Sequence, residues 1–389
     1  MEIMKRTSTP AAGPSCAVHF FRRDFKAVRC FRTAVSLHSH TMHSRESLAF
    51  LPRYAKRIPL VAGLVGLQEQ KYARNHGGDL DYARAYWTPP LPAHEAFNLE
   101  RRQIEDRLDL GALVSITDHD SIDACLRLRA IEHEREAPLS MEWTVPLEPS
   151  FVHLGVHNLP AAAARSIAAR LEDYTLNPDP TRLPELLEWL NGFENVLIVL
   201  NHPLWDEAKA GVDEHRSMVR GFAERYSGYL HAFELNGLRP WSENRSVIEF
   251  ASEIGLPVVS GGDRHGTEPN ANLNLSHADS FDGFVAEVRR DRQSEILFMP
   301  QYEESPRLRH LETAWDIVRT YPEFPERSRL FDRIFWEAEP GNPKPLSALL
   351  RREPNVVKYF VATMRLFNCR RVKSVLRAAL AAGNEEMAL

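Results

Sequence analysis

The chain has 389 residues, 43% of them apolar and 26% charged, with a formal net charge of -5 at pH 7. That composition is ordinary for a soluble globular protein, and the acidic balance argues against the broad basic footprint that duplex DNA demands. No apolar run approaches the ~20 residues that span a bilayer, so no membrane partner is expected.

At the N-terminus Glu2, Lys5 and Arg6 are followed by no apolar core, so no secretory leader is expected. Cys16, Cys30, Cys125 and Cys369 are scattered and form no C-x-x-C pair. This argues against a disulfide framework or zinc ribbon and for a reducing, cytoplasmic setting. Arg22, Arg23, Lys26, Arg29 and Arg32, interleaved with Phe20, Phe21, Phe25 and Phe31, read as an amphipathic edge element rather than a nucleic-acid surface.

Short β-branched apolar runs alternating with helical stretches predict an α/β architecture. Strands are expected at about 33–38, 112–117, 142–147, 151–157, 196–200, 229–235 and 257–261. A helix over 184–190, apolar at Leu186, Leu187 and Leu190, is expected to stop at Gly192.

The first predicted strand ends in His38-Ser39-His40. Side chains two apart on a strand share a face, so both imidazoles could reach one metal ion. Residues 51–110 then hold an apolar piece, a basic-aromatic piece, a proline-rich turn at Pro89, Pro90 and Pro92, and a predicted helix over 96–108. A βα connection usually takes ~2–6 residues, so this is an insertion placed to overhang the site. Its Tyr72, Arg74, Tyr82, Arg84, Tyr86 and Trp87 suit a lid packed on the body of the protein, or a stacking surface for single strands.

Five further motifs follow: Thr117-Asp118-His119-Asp120, Glu142, His153 with His157, Asn201-His202-Pro203, and Gly262-Asp263-Arg264-His265. Singly each has a plain role, Asp118 as a helix cap, Glu142 as a surface carboxylate, His202 and Asp263 as turn residues. Jointly they all fall at or just beyond predicted strand ends. Parallel α/β barrels gather functional groups at the C-terminal ends of their strands, so the motifs would converge on one mouth. Several imidazoles with carboxylates suit zinc, manganese or iron. From about Pro306 the chain reads as proline-punctuated helices, with Val357, Phe360, Val361, Met364, Val372, Val375 and Leu376 packing an appendage.

The ordered series HSH, TDHD, Glu142, VHLG, NHP and GDRH resembles the PHP (polymerase and histidinol phosphatase) family of metal-dependent phosphoesterases. The resemblance implies a distorted (β/α)7 barrel over residues 33–300, with 51–111 as insertion or lid. Residues 1–32 are then an N-terminal extension and 301–389 a helical C-terminal one. It further implies that His38, His40 and Asp263 hold one divalent ion, that Glu142 bridges to a second, and that His153 and His202 complete the second. His119 and His265 would serve a third. Arg45 stands where the family carries an acidic residue, and Glu46, or else His43, is the substitute ligand.

The implied reaction is hydrolysis of a phosphate mono- or diester by attack of a metal-bridging hydroxide, with two or three zinc, manganese or iron ions. Asp118, Asp120 or His265 would protonate the leaving oxygen. Arg264, Arg45 and Arg239 are candidates to grip a phosphate, with a structural salt bridge as the competing role for each. The expected substrate is a phosphorylated small molecule or a short oligonucleotide. Alternatives are an exonuclease-like enzyme of the same chemistry, an amidohydrolase-type C–N hydrolase, and a non-catalytic barrel used as a binding module.

Overall fold

The computed structural model describes residues 13–49, 51–52, 59–76, 79–131, 136–148, 150–337, 339 and 341–381. The fold is mixed α/β, and each strand expected from the sequence is present with shifted ends. In chain order the strands are β1 (Ser15–Phe20), β2 (Thr33–Ser36), β3 (Glu46–Ser47), β4 (Ala85–Trp87), β5 (Gly111–Val114), β6 (Met141–Leu147) and β7 (Ser150–His157). There follow β8 (Leu197–Asn201), β9 (Ala232–Asn236), β10 (Val258–Gly261), β11 (Asn272–Ser276), β12 (Gln293–Phe298), β13 (Ile334–Glu337) and β14 (Pro343–Pro345). They form three sheets, in the orders β1-β12-β11-β2-β5, β10-β9-β8-β7-β6 and β14-β13-β4-β3.

One continuous parallel ladder is not formed. β2 with β5, β8 with β9 and β9 with β10 are parallel, but β7 is antiparallel to both β6 and β8. The cause is a tight hairpin: Leu147 pairs with Ser150, which leaves no chain for the crossover that a parallel neighbour needs. The two larger sheets meet through two isolated pairs, Ser39 with Arg264 beyond the ends of β2 and β10, and His119, beyond the end of β5, with Glu142 near the start of β6. Main-chain bonds sew these joins: Asp263 N donates to His38 O at 2.8 Å, and Glu142 N to Asp118 O at 3.1 Å.

The strands stand between two apolar layers, which is why β8 is apolar on both faces. Its Leu197 and Val199 join Val35, Leu37, Ala232 and Val259 in an inner core, closed by Phe281 and Phe284 of the helix Phe281–Arg289. Ile198 and Leu200 face the outer helices instead. Among these, Leu183–Asn191 buries Leu183, Leu186, Leu187 and Leu190, the i, i+3, i+4, i+7 stripe of a helix on a sheet. Each fully buried leucine contributes about 1.5–3 kcal/mol. Gly192 ends this helix with a right-handed φ of -64°, so it does not supply the left-handed turn expected of a C-terminal glycine.

The insertion and the C-terminal extension, both expected to be helical, share a sheet. β4 pairs with β3 through Trp87 and Glu46 and with β13 through Trp87 and Ile334. Tyr86 and Phe335 stack across this join with ring centroids 5.2 Å apart. The insertion also contributes the helices Pro59–His76 and Ala93–Leu108. In the extension, Val357, Val361 and Met364 of the helix Asn355–Phe367 pack on Trp315, Val318 and Leu330. Phe360 and Val375, expected in that core, are 47% and 68% exposed. Among the described residues no helix is long and apolar enough to cross a membrane.

Candidate metal centre

The backbone delivers the candidate ligands by turning sharply where strands stop. His38, His202 and Asp263 are all left-handed, with φ of 62°, 27° and 53°. Such conformations cost non-glycine residues of order 1–3 kcal/mol and persist where surrounding structure imposes them. β2 ends at Ser36, so the shared-face argument for His38 and His40 does not hold. Val35 and Leu37 fill the inner core, and the left-handed turn at His38 then redirects the chain so that both imidazoles enter the cluster.

Glu142 and His153 are not at strand C-termini either. Glu142 is the second residue of β6, and its side chain reaches the cluster from within the sheet. His153 pairs with Asn201, the last residue of β8, and because β7 runs backwards this brings it beside His202. Its Nδ1 lies 3.4 Å from His202 Nε2.

Glu142 is the centre of the arrangement. Its Oε2 lies 3.0 Å from His38 Nε2, 3.3 Å from His40 Nε2 and 3.4 Å from His119 Nδ1. Its Oε1 lies 3.2 Å from His202 Nε2 and 3.5 Å from His153 Nδ1, and accepts from Asn201 Nδ2 at 2.9 Å. Asp263 Oδ1 lies 3.4 Å from His40 Nε2 and 3.5 Å from His265 Nδ1. Glu46 closes the far side, with Oε2 3.2 Å from His119 Nε2 and 3.3 Å from His265 Nε2.

The donor set fits divalent ions because hydrogen-bond partners hold key imidazoles with one nitrogen pointing inward. Glu234 Oε1 lies 2.5 Å from His38 Nδ1 and accepts the hydrogen bond that Nδ1 donates. Ser44 Oγ gives its one hydrogen to Glu46 Oε1 at 2.7 Å, so at 3.3 Å it accepts from His40 Nδ1. With Nδ1 of each so engaged, the Nε2 atoms of His38 and His40 are the ones left to meet an ion, and they lie 3.1 Å apart. Two imidazole nitrogens facing each other beside two carboxylates suit a shared cation, a proton on His38 when no metal is held and a divalent ion when one is. Four overlapping groups meet the spacing for one ion: His38, His40 and Glu142; His40, Asp263 and His265; His40, Glu46 and His119; and His119, Glu142 and His153.

The electrostatics agree. Burial opposes a charge on His38, but Glu142, Glu234 and Asp263 outweigh it and raise its pKa well above the imidazole range. Burial, with His265 alongside, lowers His40 to about 4. His265 rises to about 9 against burial because Glu46 and Asp263 face it. Despite burial, His38, His119 and His153 hold Glu142 well below the carboxylate range, and His119, His265 and His40 do the same for Glu46.

Other expected site residues lie elsewhere. Asp118 is buried and accepts from Thr41 N at 2.6 Å and Thr41 Oγ1 at 2.7 Å, and burial raises it to about 7. Asp120 accepts from Thr144 N at 2.9 Å and Thr175 Oγ1 at 3.3 Å. Both carboxylates are engaged in loop contacts. The three arginines each have a carboxylate partner. Arg264 is buried against Glu100 at 2.9 Å, Arg239 makes a two-pronged pair with Glu243 at 2.8 and 2.9 Å, and Arg45 lies out at Glu172, 3.9 Å away. His157 sits beneath the cluster, its Nδ1 2.9 Å from Ser115 Oγ.

Sequence reasoning missed Glu234, Ser44, Glu207 and Trp205. Glu234 carried a readable signal, a lone carboxylate inside the fully buried strand Ala232–Asn236. Glu207 Oε2 lies 3.8 Å from His153 Nδ1, and burial raises its pKa. Trp205 meets the His202 ring edge-on at 5.3 Å, and Trp87 meets the His265 ring at 5.7 Å.

No family model matches the chain, and no curated protein matches it. Among solved structures it is similar to one assigned as a metal-dependent phosphoesterase from Bifidobacterium adolescentis, with a TM-score of 0.33 and 14% identity over 52% of this chain and 91% of that one. It is also similar to an amidohydrolase from Chromobacterium violaceum, solved with bound sulfate and no metal, with a TM-score of 0.33 and 14% identity over 59% of this chain and 87% of that one. The functional reading rests on the side chains themselves.

Proposed function

We propose that this chain is a metal-dependent hydrolase acting on a phosphate ester. The observation that carries the proposal is the two-sided use of Glu142, whose Oε2 faces His38, His40 and His119 while Oε1 faces His202 and His153. A carboxylate with imidazoles on both oxygens is the donor set of a bridged ion pair. His38, His40 and Asp263 would hold the first ion, His153 and His202 the second, and Glu46, His119 and His265 a third. Divalent ions held there supply Lewis acidity, activating a water and neutralising charge that builds on the phosphoryl oxygens.

The chain's own groups do the rest. Glu142 and Asp263 balance charge, while Ser44, Glu234 and Asn201 orient the donors. Of the three candidate acids, His265 lines the cluster, whereas Asp118 and Asp120 are tied to Thr41 and Thr144. His265 Nδ1 donates to Asp263 O at 2.9 Å, so Nε2 is the atom that would either ligate a third ion or, with two ions bound, hold and release a proton. Trp87, Trp205 and the sheet carrying Glu46 stand beside the ligands and favour a small phosphorylated substrate or a short strand end over a duplex.

The same reading includes the (β/α)7 barrel. β2, β5, β6, β7, β8, β9 and β10 form a ring if the isolated pairs Ser39 with Arg264 and His119 with Glu142 are counted as its two joins. The test is a panel of phosphate monoesters, diesters and C–N substrates on protein reconstituted with manganese, zinc or iron, with elemental analysis of the purified chain. Phosphate release dependent on the metal is the expected result. Cleavage of C–N substrates alone would move the chain to amidohydrolase chemistry, and absence of bound metal would remove the hydrolase reading.

A further inference from the structure

Glu234 touches both halves of the ligand cluster without being a ligand in either. Its Oε1 accepts from His38 Nδ1 at 2.5 Å, and its Oε2 accepts from the His202 backbone N–H at 2.6 Å. Asn236 Nδ2 donates to Oε2 at 3.3 Å and approaches Asp263 Oδ2 at 3.5 Å. The carboxylate is buried and lies directly over β10, where Gly261 makes room for it. A Cβ at Gly261 would sit 1.6 Å from Oε1 and 2.4 Å from Cδ. No side chain other than hydrogen fits there while Glu234 keeps this position.

Resting on the ion-pair reading above, we infer that Glu234 is a positioning residue that couples the two ion sites, so that filling one prepares the other. The first oxygen holds His38 with Nδ1 donating to it and Nε2 turned toward Glu142 and His40, where an ion would replace any proton on Nε2. The second holds the loop that presents His202, whose φ of 27° sits immediately before Pro203. The residue before a proline is already restricted, so this turn needs an external hold. A carboxylate is one rigid plane. An ion that draws His38 into place therefore fixes the plane that also orients His202, and the reverse holds equally. His265 shows that an imidazole here can be oriented by a plain carbonyl, that of Asp263. The carboxylate at His38 is thus more than tautomer control. It raises the basicity of the ligand and spends its other oxygen on the second half of the cluster.

Two substitutions test this by different routes. Glu234→Gln keeps the size but puts an N–H donor against one of two donors, His38 Nδ1 or His202 N. Gly261→Ala changes no polar group and displaces the carboxylate by steric contact alone. Full-length wild type and both variants are titrated with Mn2+ and with Co2+ under chelator competition, with circular dichroism to confirm folding. Wild type should take up two ions cooperatively. Each variant should lose roughly 10–100-fold in affinity for both ions, the scale seen when an outer partner of a metal ligand is removed. Each should also lose the cooperativity and shift the visible spectrum of bound Co2+, which reports ligand geometry. Should Glu234→Gln not fold, Gly261→Ala carries the test. If wild type binds two ions and a folded variant binds them with wild-type affinity and spectrum, the coupling is overturned. If wild type binds no ion, the ion-pair reading falls first and takes the coupling with it.

Discussion

Arg264 and Glu100 form a buried ion pair, Nε to Oε1 at 2.9 Å, directly behind the candidate metal centre. Arg264 also donates to Gly266 O at 2.8 Å and His40 O at 3.2 Å, while Glu100 accepts from Ser36 Oγ at 3.0 Å and Asn270 N at 3.1 Å. The pair therefore ties the helix Ala93–Leu108 to the loops that carry His40 and Asp263. Removing one partner strands the other as an uncompensated buried charge. Glu100→Gln should cost about 3–5 kcal/mol in urea unfolding of metal-free protein. A change under 1 kcal/mol would show that water or another group compensates Arg264.

The ligand assignment has a direct test. His40→Ala removes a donor shared by three of the four candidate groups, and Asp263→Ala removes a carboxylate facing His40 and His265. Each should lower metal-dependent turnover by roughly 10²–10³-fold or more, the scale of losing one group that stabilises charge at a reacting centre. Their circular dichroism should match wild type. Turnover retained in both would end the assignment.

What the sequence made legible follows from what a linear pattern can encode. His38, His40, His119, Glu142, His153, His202, Asp263, His265 and Glu46 all converge within ion-binding distance of a neighbour in the set. Apart from the short β3 that carries Glu46, the strands that lead to them were readable as apolar runs, because a strand buried on both faces is close to continuously apolar. Backbone direction was not readable. The reversed β7 depends on a two-residue hairpin link, and the turn at His38 depends on hydrogen bonds from Asp263 and Gly262, more than 200 residues away. The partners of the arginines were unreadable for the same reason. Whether Arg264 meets a substrate or Glu100 depends on a helix 164 positions distant, and a motif holds no trace of that partner.

The shared sheet should govern the Glu46 side of the centre. Glu46 is held through its pairing with Trp87, and β4 is in turn held by β13 of the C-terminal extension. Phe335→Pro removes a ladder N–H and disturbs the stack with Tyr86. It should lower turnover and the bound metal per chain while affecting the His38, His40 and Glu142 group less, since that group meets the sheet only through Ser44 and Glu46 beside His40. Elemental analysis of the purified variant decides this. Metal content and turnover equal to wild type would mean that Glu46 needs no support from the extension.

Glu268 should make stability depend on pH. Burial, with Glu312 and Asp316 beside it and Arg309 as a partial offset, raises its carboxyl to about 7. A folded-state pKa above the unfolded value means that folding favours the protonated form. Its contribution is fully present below the ordinary carboxyl range and is lost as pH rises through about 7. Glu268→Gln mimics the protonated form at every pH. The variant should match wild type in urea unfolding at pH 4.5 and be more stable at pH 8. The gain should be on the order of 1 kcal/mol, since the group is half-buried and solvent screens part of the effect. Equal stability at both pH values would show that Glu268 ionises without penalty in the folded chain. A loss at pH 8 would reverse the sign and mean that its charge is used, with Arg309 the partner in reach.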